Sequence, residues 1–308
     1  MINEIREALL GQRGIDSFQR IAGDYPLPFY VGLDSSARYA LFCITGNAPT
    51  VSVVSSTIIS AFVGRRQDGT YGITFSLADA AYFDHFLYFC SDLVSYSSRL
   101  VDSVQAANQI CNRYTQWQKA FARAGQELLS PAEIKGLLGE LCFLHAKMIP
   151  LYGEQIALSS WCGPEMADRD FECPDTWYEV KSTVSGYGSV KISSIEQLDT
   201  PRDGHLVVVY LDKTSHQDGE RITLNSFFHL LRNSFSSVEL QEQFEAILLT
   251  FGYYERPEYD NFNYKYQGME IYSIDASFPC VRRNSIPVAV QNLKYELSLS
   301  AIAGFREE

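Results

Sequence analysis

The run Asp168-Arg-Asp170-Phe-Glu-Cys-Pro-Asp-Thr-Trp-Tyr-Glu179-Val-Lys181 leaves the chain few ways to fold locally. Cys173-Pro174-Asp175-Thr176 is a tight-turn signal. The residues after it, Trp177 to Thr183, are aromatic and β-branched, as strands prefer. An acid, Asp170, therefore closes one strand and Glu-x-Lys sits inside the next. Side chains alternate faces along a strand, so Glu179 and Lys181 share a face that Tyr178 and Val180 do not. Asp170, Glu179 and Lys181 are thus expected at one spot. Two carboxylates and an ammonium together suit a divalent cation and an activated water.

The flanks extend this pattern. Ser130-Pro131-Ala132-Glu133 is a capping box with proline at the first helical position. The helix it opens carries an inner stripe of Ile134, Leu137, Leu138, Leu141, His145 and Met148, on which His145 is expected to be packed. Glu140 falls about 110° from the centre of that stripe, on its flank. Gly136 and Gly139 share that side and permit close approach of another backbone. A second Glu-x-Lys, Glu133-Ile-Lys135, falls in the helix and is read as noncatalytic. Downstream, a turn at Ser185–Gly188 leads to a strand at 189–193 and a short helix from Ser194 to Leu198 that includes Gln197. The apolar run Gly204–Leu211 reads as a central strand buried on both faces.

This order, with Gly136-Leu-Leu-Gly139-Glu140-Leu, Trp161-Cys-Gly163-Pro164 and Val190-Lys-Ile-Ser193-Ser194-Ile-Glu-Gln197-Leu198, resembles the PD-(D/E)XK (restriction-endonuclease-like) nuclease superfamily. It is most similar to a bacterial family of otherwise unknown function placed there by motif. The resemblance implies an αβββαβ core at about 130–212 and a metal-dependent DNA endonuclease of a restriction-modification or phage-defence system. It implies Mg²⁺ or Mn²⁺ held by Asp170, Glu179 and the Val180 carbonyl, with Glu140 as an additional acid from the preceding helix. Lys181 then orients or helps deprotonate the attacking water, and Gln197 contacts phosphate or water. Ser159, Trp161 and Ser182 are candidate supporting residues. The implied partners are DNA and, because one core carries one site, a second copy of the chain or other defence subunits. The alternative is a noncatalytic DNA-binding or assembly subunit of a defence complex; an RNA-directed nuclease is a third reading. One fold hosts many functions.

At 308 residues the chain has room for two domains, an N-terminal α+β domain at 1–100 for recognition or scaffolding and a nuclease-like domain at 101–308. The fold class expected is α/β, α+β overall, with additional C-terminal helices and strands. In the first hundred residues we expect a helix over 3–10 and strands at 29–33, 39–44, 51–54, 57–63 and 71–75, then an apolar helix over 78–94. A long helix over 102–124, stopped by Gly125, follows. The C-terminal part is read as helices at 224–232 and 238–250 and strands at 261–267, 270–274 and 292–299. Tyr253, Tyr254, Tyr259, Tyr264 and Tyr266 are read as amphipathic strand positions ahead of base-stacking ones.

The net charge of −12 argues against indiscriminate nucleic-acid binding, so any DNA contact needs a local basic face, with Lys181 and Lys191 its candidates. Seven scattered cysteines without a Cys-x-x-Cys indicate neither a disulfide framework nor a zinc site. No apolar run reaches membrane-spanning length and no signal segment is recognised, so a cytoplasmic protein with no membrane partner is expected.

Overall fold

The computed structural model describes residues 1–12, 14–99, 103–123, 128–162 and 169–307. The chain is mixed α and β and divides into two compact units, Met1–Glu127 and Leu128–Glu308.

The first unit is built on five antiparallel strands, β1 (Ser17–Arg20), β2 (Phe29–Leu33), β3 (Tyr39–Thr45), β4 (Ile59–Arg65) and β5 (Tyr71–Leu77), in the order β1-β2-β3-β5-β4. The β2–β3 hairpin turns on Asp34, whose Oδ1 accepts the N–H groups of Ser36 and Arg38. Three helices, α1 (Ile2–Leu10), α2 (Phe83–Ser97) and α3 (Ser103–Arg123), complete the unit. Phe75 of β5 meets Phe89 of α2 and Tyr114 of α3, which marks the inner face of the sheet. The long helix lies in this unit although the sequence boundary was set near residue 100. Asp92 of α2 explains why: its carboxylate accepts from Arg113 Nε at 2.8 Å and from Trp117 Nε1 at 2.6 Å. Gly125, expected to stop that helix, lies outside the described residues.

Residues 51–54 are not a strand. Asn108 Oδ1 accepts the N–H groups of Thr50 and Val51, and the Val54 carbonyl accepts from Tyr114 and Gln118. Side chains of α3 therefore hold this backbone where a neighbouring strand would. The edge strand β1 was not expected, because Ser-Phe-Gln-Arg is short and only partly buried.

The second unit holds β6 (Phe171–Glu172), β7 (Trp177–Thr183), β8 (Ser189–Ile192), β9 (Gly204–Lys213), β10 (Arg221–Ile222), β11 (Tyr264–Ile274) and β12 (Tyr295–Ser298). Its main sheet has the order β10-β11-β9-β7-β6, and only the β7–β9 pair is parallel. Its helices are α4 (Pro131–Phe143), α5 (Ile149–Tyr152), α6 (Glu154–Ser160), α7 (Leu224–Ser234) and α8 (Val238–Thr250). Helix α4 lies across β7 and β9. One core joins α4, α7 and α8 to Tyr178, Val180, Val207, Val209 and Leu211. A second core, on the other face, contains Trp177, Leu206, Val208, Val190, Ile192, Leu297 and Ile302. Strand β9 is accordingly central and covered on both sides.

Several details differ from the αβββαβ expectation. Strand β8 leaves the main sheet and pairs with β12, so β7 meets β9 directly. Residues 194–198 form one turn, closed by Asp199 N–H on the Ile195 carbonyl, and not a helix. The strands expected at 261–267 and 270–274 are one strand, β11, interrupted by a bulge between Tyr266 and Gly268. Helix α4 runs into a π-turn at Leu144–Met148. Leu144 takes the buried position of the stripe, three residues after Leu141, and His145 is exposed with its ring edge-on to Phe227 at 5.9 Å. Tyr253, Tyr259 and Tyr264 are core residues.

Candidate active site

The site lies on the edge of β7 that β6 leaves open. β6 pairs only Phe171 with Tyr178 and Glu172 with Trp177. Beyond Phe171 the chain offers a carboxylate in place of backbone: Asp170 Oδ2 accepts the Val180 N–H at 2.7 Å. In a strand the N–H and C=O of one residue face the same edge, so the Val180 carbonyl also faces Asp170. A second bond fixes the segment, from Cys162 N–H to the Asp170 carbonyl at 2.9 Å.

On β7, Lys181 Nζ donates to Glu179 Oε1 at 2.5 Å and to Gln197 Oε1 at 3.2 Å. Gln197 reaches Lys181 from the turn at 195–198, and its Oε1 also accepts the Ser193 N–H at 2.8 Å. Glu179 is 1% exposed, and its Oε2 is buried with no hydrogen-bond partner among the described residues. Glu140 on α4 is buried rather than on an open flank, and its Oε2 accepts from Trp161 Nε1 at 2.8 Å. The indole in turn stacks on Phe171, Phe244 and Phe251.

The helix can approach this closely because residue 139 lacks a side chain. A Cβ on Gly139 would overlap Ser182 Oγ, whereas one on Gly136 would meet nothing within 4 Å. Of the supporting candidates, Trp161 holds Glu140 and Ser182 faces Gly139. Ser159 is exposed and bonded to the Ile156 carbonyl. Asp168, Gly163 and Pro164 lie outside the described residues.

Burial pushes the Glu179 carboxyl up to about 8, Asp170 adds to the rise, and Lys181 opposes it. Glu140 is held well above the usual carboxylate range, first by burial and then by Asp170, with the Trp161 bond opposing. Asp170 is also raised by burial, against the pull of Lys181 and the Val180 N–H. Asp170 thus sits close enough to raise the proton affinity of both Glu179 and Glu140 beside one ammonium.

That donor set fits a hard divalent cation. Carboxylate oxygens prefer Mg²⁺ or Mn²⁺, and the unpartnered Glu179 Oε2 is a buried acceptor awaiting a positive partner. Among the described residues no three His, Cys, Asp or Glu side chains form a ready-made metal cage.

Arg169 was not singled out in the sequence. Its guanidinium stacks 4.7 Å over Trp177, donates to Glu172 Oε1 and to the Glu196 carbonyl, and helps lower the Glu179 pKa. Nothing in the local pattern separates it from a solvated arginine.

A family profile described as "Putative PD-(D/E)XK family member, (DUF4420)" matches residues 4–300. The chain belongs to this family. No curated protein and no solved structure matches significantly. No helix among the described residues is long and apolar enough to cross a membrane.

Proposed function

We propose that the chain is a divalent-metal-dependent endodeoxyribonuclease. The observation that carries this reading is the meeting of Asp170, Glu179 and Lys181 at β7, with Glu179 Oε2 buried and without a hydrogen-bond partner among the described residues. Family membership supports it.

In this reading Asp170 and Glu179 hold the cation, with the Val180 carbonyl and Glu140 beside them. Bound there, Mg²⁺ or Mn²⁺ would lower the pKa of a water and offset charge growing on the phosphate. The Lys181 ammonium orients the attacking water and neutralises developing charge. Gln197 positions Lys181, since its amide oxygen is shared between Lys181 and the Ser193 N–H. The apolar wall of Trp161 and Phe171 keeps Glu140 in a low-dielectric setting, where its charge interacts strongly. Phosphate contact falls to a local basic face at Lys181 and the exposed Lys191.

One core carries one site, so a double-strand break takes two copies of the chain or two successive nicks. The setting that fits is a cytoplasmic restriction-modification or phage-defence system. The test is supercoiled-plasmid cleavage with Mg²⁺ or Mn²⁺, on methylated and unmethylated DNA, with Lys181→Ala as control. Nicking by the wild type and none by a folded Lys181→Ala protein is expected. A folded wild type that cleaves no plasmid with either metal sinks the reading in favour of a noncatalytic subunit.

A further inference from the structure

The first unit carries a sheet face that its helices do not cover. On the face opposite Phe75, the registers place Arg20, Tyr30, Phe42, Thr74 and Phe62 in one row across all five strands. Phe42 is the middle of an aromatic patch, 5.5 Å from Phe18 and 5.9 Å from Tyr30 between ring centroids. The Arg66 guanidinium lies 6.0 Å over the same ring. Phe62, on the edge strand β4, is 66% exposed.

The rings lie down on the sheet because glycine makes room beneath them. A Cβ at Gly72 would come 2.5 Å from Phe42 Cε2, and one at Gly64 would come 2.6 Å from Phe62 Cε1. Thr74 separates Phe42 from Phe62 by two strand spacings, about 9–10 Å. Phe62 is open to a planar partner of its own.

The charge of this sheet is unlike that of the chain. The protein holds 37 Asp and Glu and a net charge of −12, yet no residue of β1–β5 is acidic. Arg20 stands at one end of the row, and Arg66, paired with Asp68 of the β4–β5 turn, lies over Phe42 in its middle. An aromatic surface whose strands carry no acid, with Arg20 at one end and Arg66 over its middle, presents ring faces to a base and two arginines to phosphate. Base–aromatic stacking needs such a surface and tolerates any sequence.

We propose that this face binds single-stranded DNA, with Tyr30, Phe42 and Phe62 stacking bases and Arg20 and Arg66 meeting phosphates. The choice of DNA over RNA rests on the cleavage reading.

The test is fluorescence anisotropy of the full chain with a short labelled oligo-dT in EDTA, which keeps metal chemistry silent. We expect binding that weakens with salt, roughly tenfold weaker for Phe62→Ala and retained by Phe62→Tyr. Exposure of Phe62 makes Phe62→Ala a soluble, folded variant, checked by its melting temperature. No oligo-dT binding overturns the proposal and hands the face to a protein partner. It is equally overturned by Phe62→Ala binding like wild type, or by duplex DNA or oligo-rU binding as tightly as oligo-dT. Plasmid nicking in Mg²⁺ is read in parallel. Oligo-dT binding without nicking removes the cleavage reading alone.

Discussion

The Asp170 carboxylate stands in for a neighbouring strand, accepting the Val180 N–H at 2.7 Å where the β6–β7 ladder has ended. One side chain thereby caps the strand edge and aims an acid at Glu179 and Lys181. Asp170→Asn keeps an acceptor for Val180 and should keep the fold while losing metal-dependent cleavage. Asp170→Ala should also lose about 1–3 kcal/mol of stability, the cost of an abandoned bond to a charged group. Denaturant melts beside plasmid nicking separate the two. An Asp170→Asn protein that cleaves normally removes Asp170 from the site.

Stability should fall as pH rises through neutrality. Glu179 titrates from its ordinary 4.5 up to about 8 in the folded chain. Between those values the folded state keeps a proton that the unfolded state has released, so deprotonation favours unfolding. The loss accrues upward from about pH 4.5 and levels off above about pH 8. It is on the order of a few kcal/mol, at about 1.4 kcal/mol per decade. Glu140 and Asp170 act in the same direction. Urea denaturation from pH 5 to 8.5 in EDTA should show the slope, and Glu179→Gln should flatten it. A wild-type curve that rises over this range contradicts the buried-acid account.

A divalent cation should restore what alkaline pH removes. Its carboxylate ligands must shed their protons to bind it. Mn²⁺ should therefore raise the melting temperature more at pH 8 than at pH 6, and release protons on binding in calorimetry. The same shift in Glu179→Gln would place the ion elsewhere.

Gly139 and Ser182 should behave as a coupled pair. Gly139→Ala drives a methyl into Ser182 Oγ and should cost about 1–3 kcal/mol through overpacking. Ser182 Oγ is buried without a hydrogen-bond partner among the described residues, so Ser182→Ala alone should be neutral or stabilising. The double variant should recover most of the loss. Strict additivity in a double-mutant cycle would show that the two positions do not meet.

The local geometry of the site was legible, because strand alternation has a period of two. It puts Glu179 and Lys181 on one face whatever the rest of the chain does, and the turn at Cys173–Thr176 returns Asp170 to them. Strand pairing was not legible. β8 has an ordinary strand pattern, and its partner β12 lies far later in the chain with no signal linking them. Residues 51–54 have β-branched side chains, but Asn108, Tyr114 and Gln118 took their backbone groups. Glu140 was placed on a flank by helical phase alone. Its burial depends on Trp161 and on the close approach at Gly139, which are tertiary facts.

The parallel pairing of β7 with β9, and the antiparallel pairing of β9 with the much later β11, set an order of assembly. Long-range pairings form slowly, because the intervening chain must first be closed into a loop. A growing polypeptide that has made Asp170, Glu179 and Lys181 still lacks β11, which ends at Ile274. These acids cannot drive that step, since burying them at neutral pH opposes folding. The sheet around the cluster is therefore completed late in synthesis, since β9 gains its second neighbour only after β11 has been made.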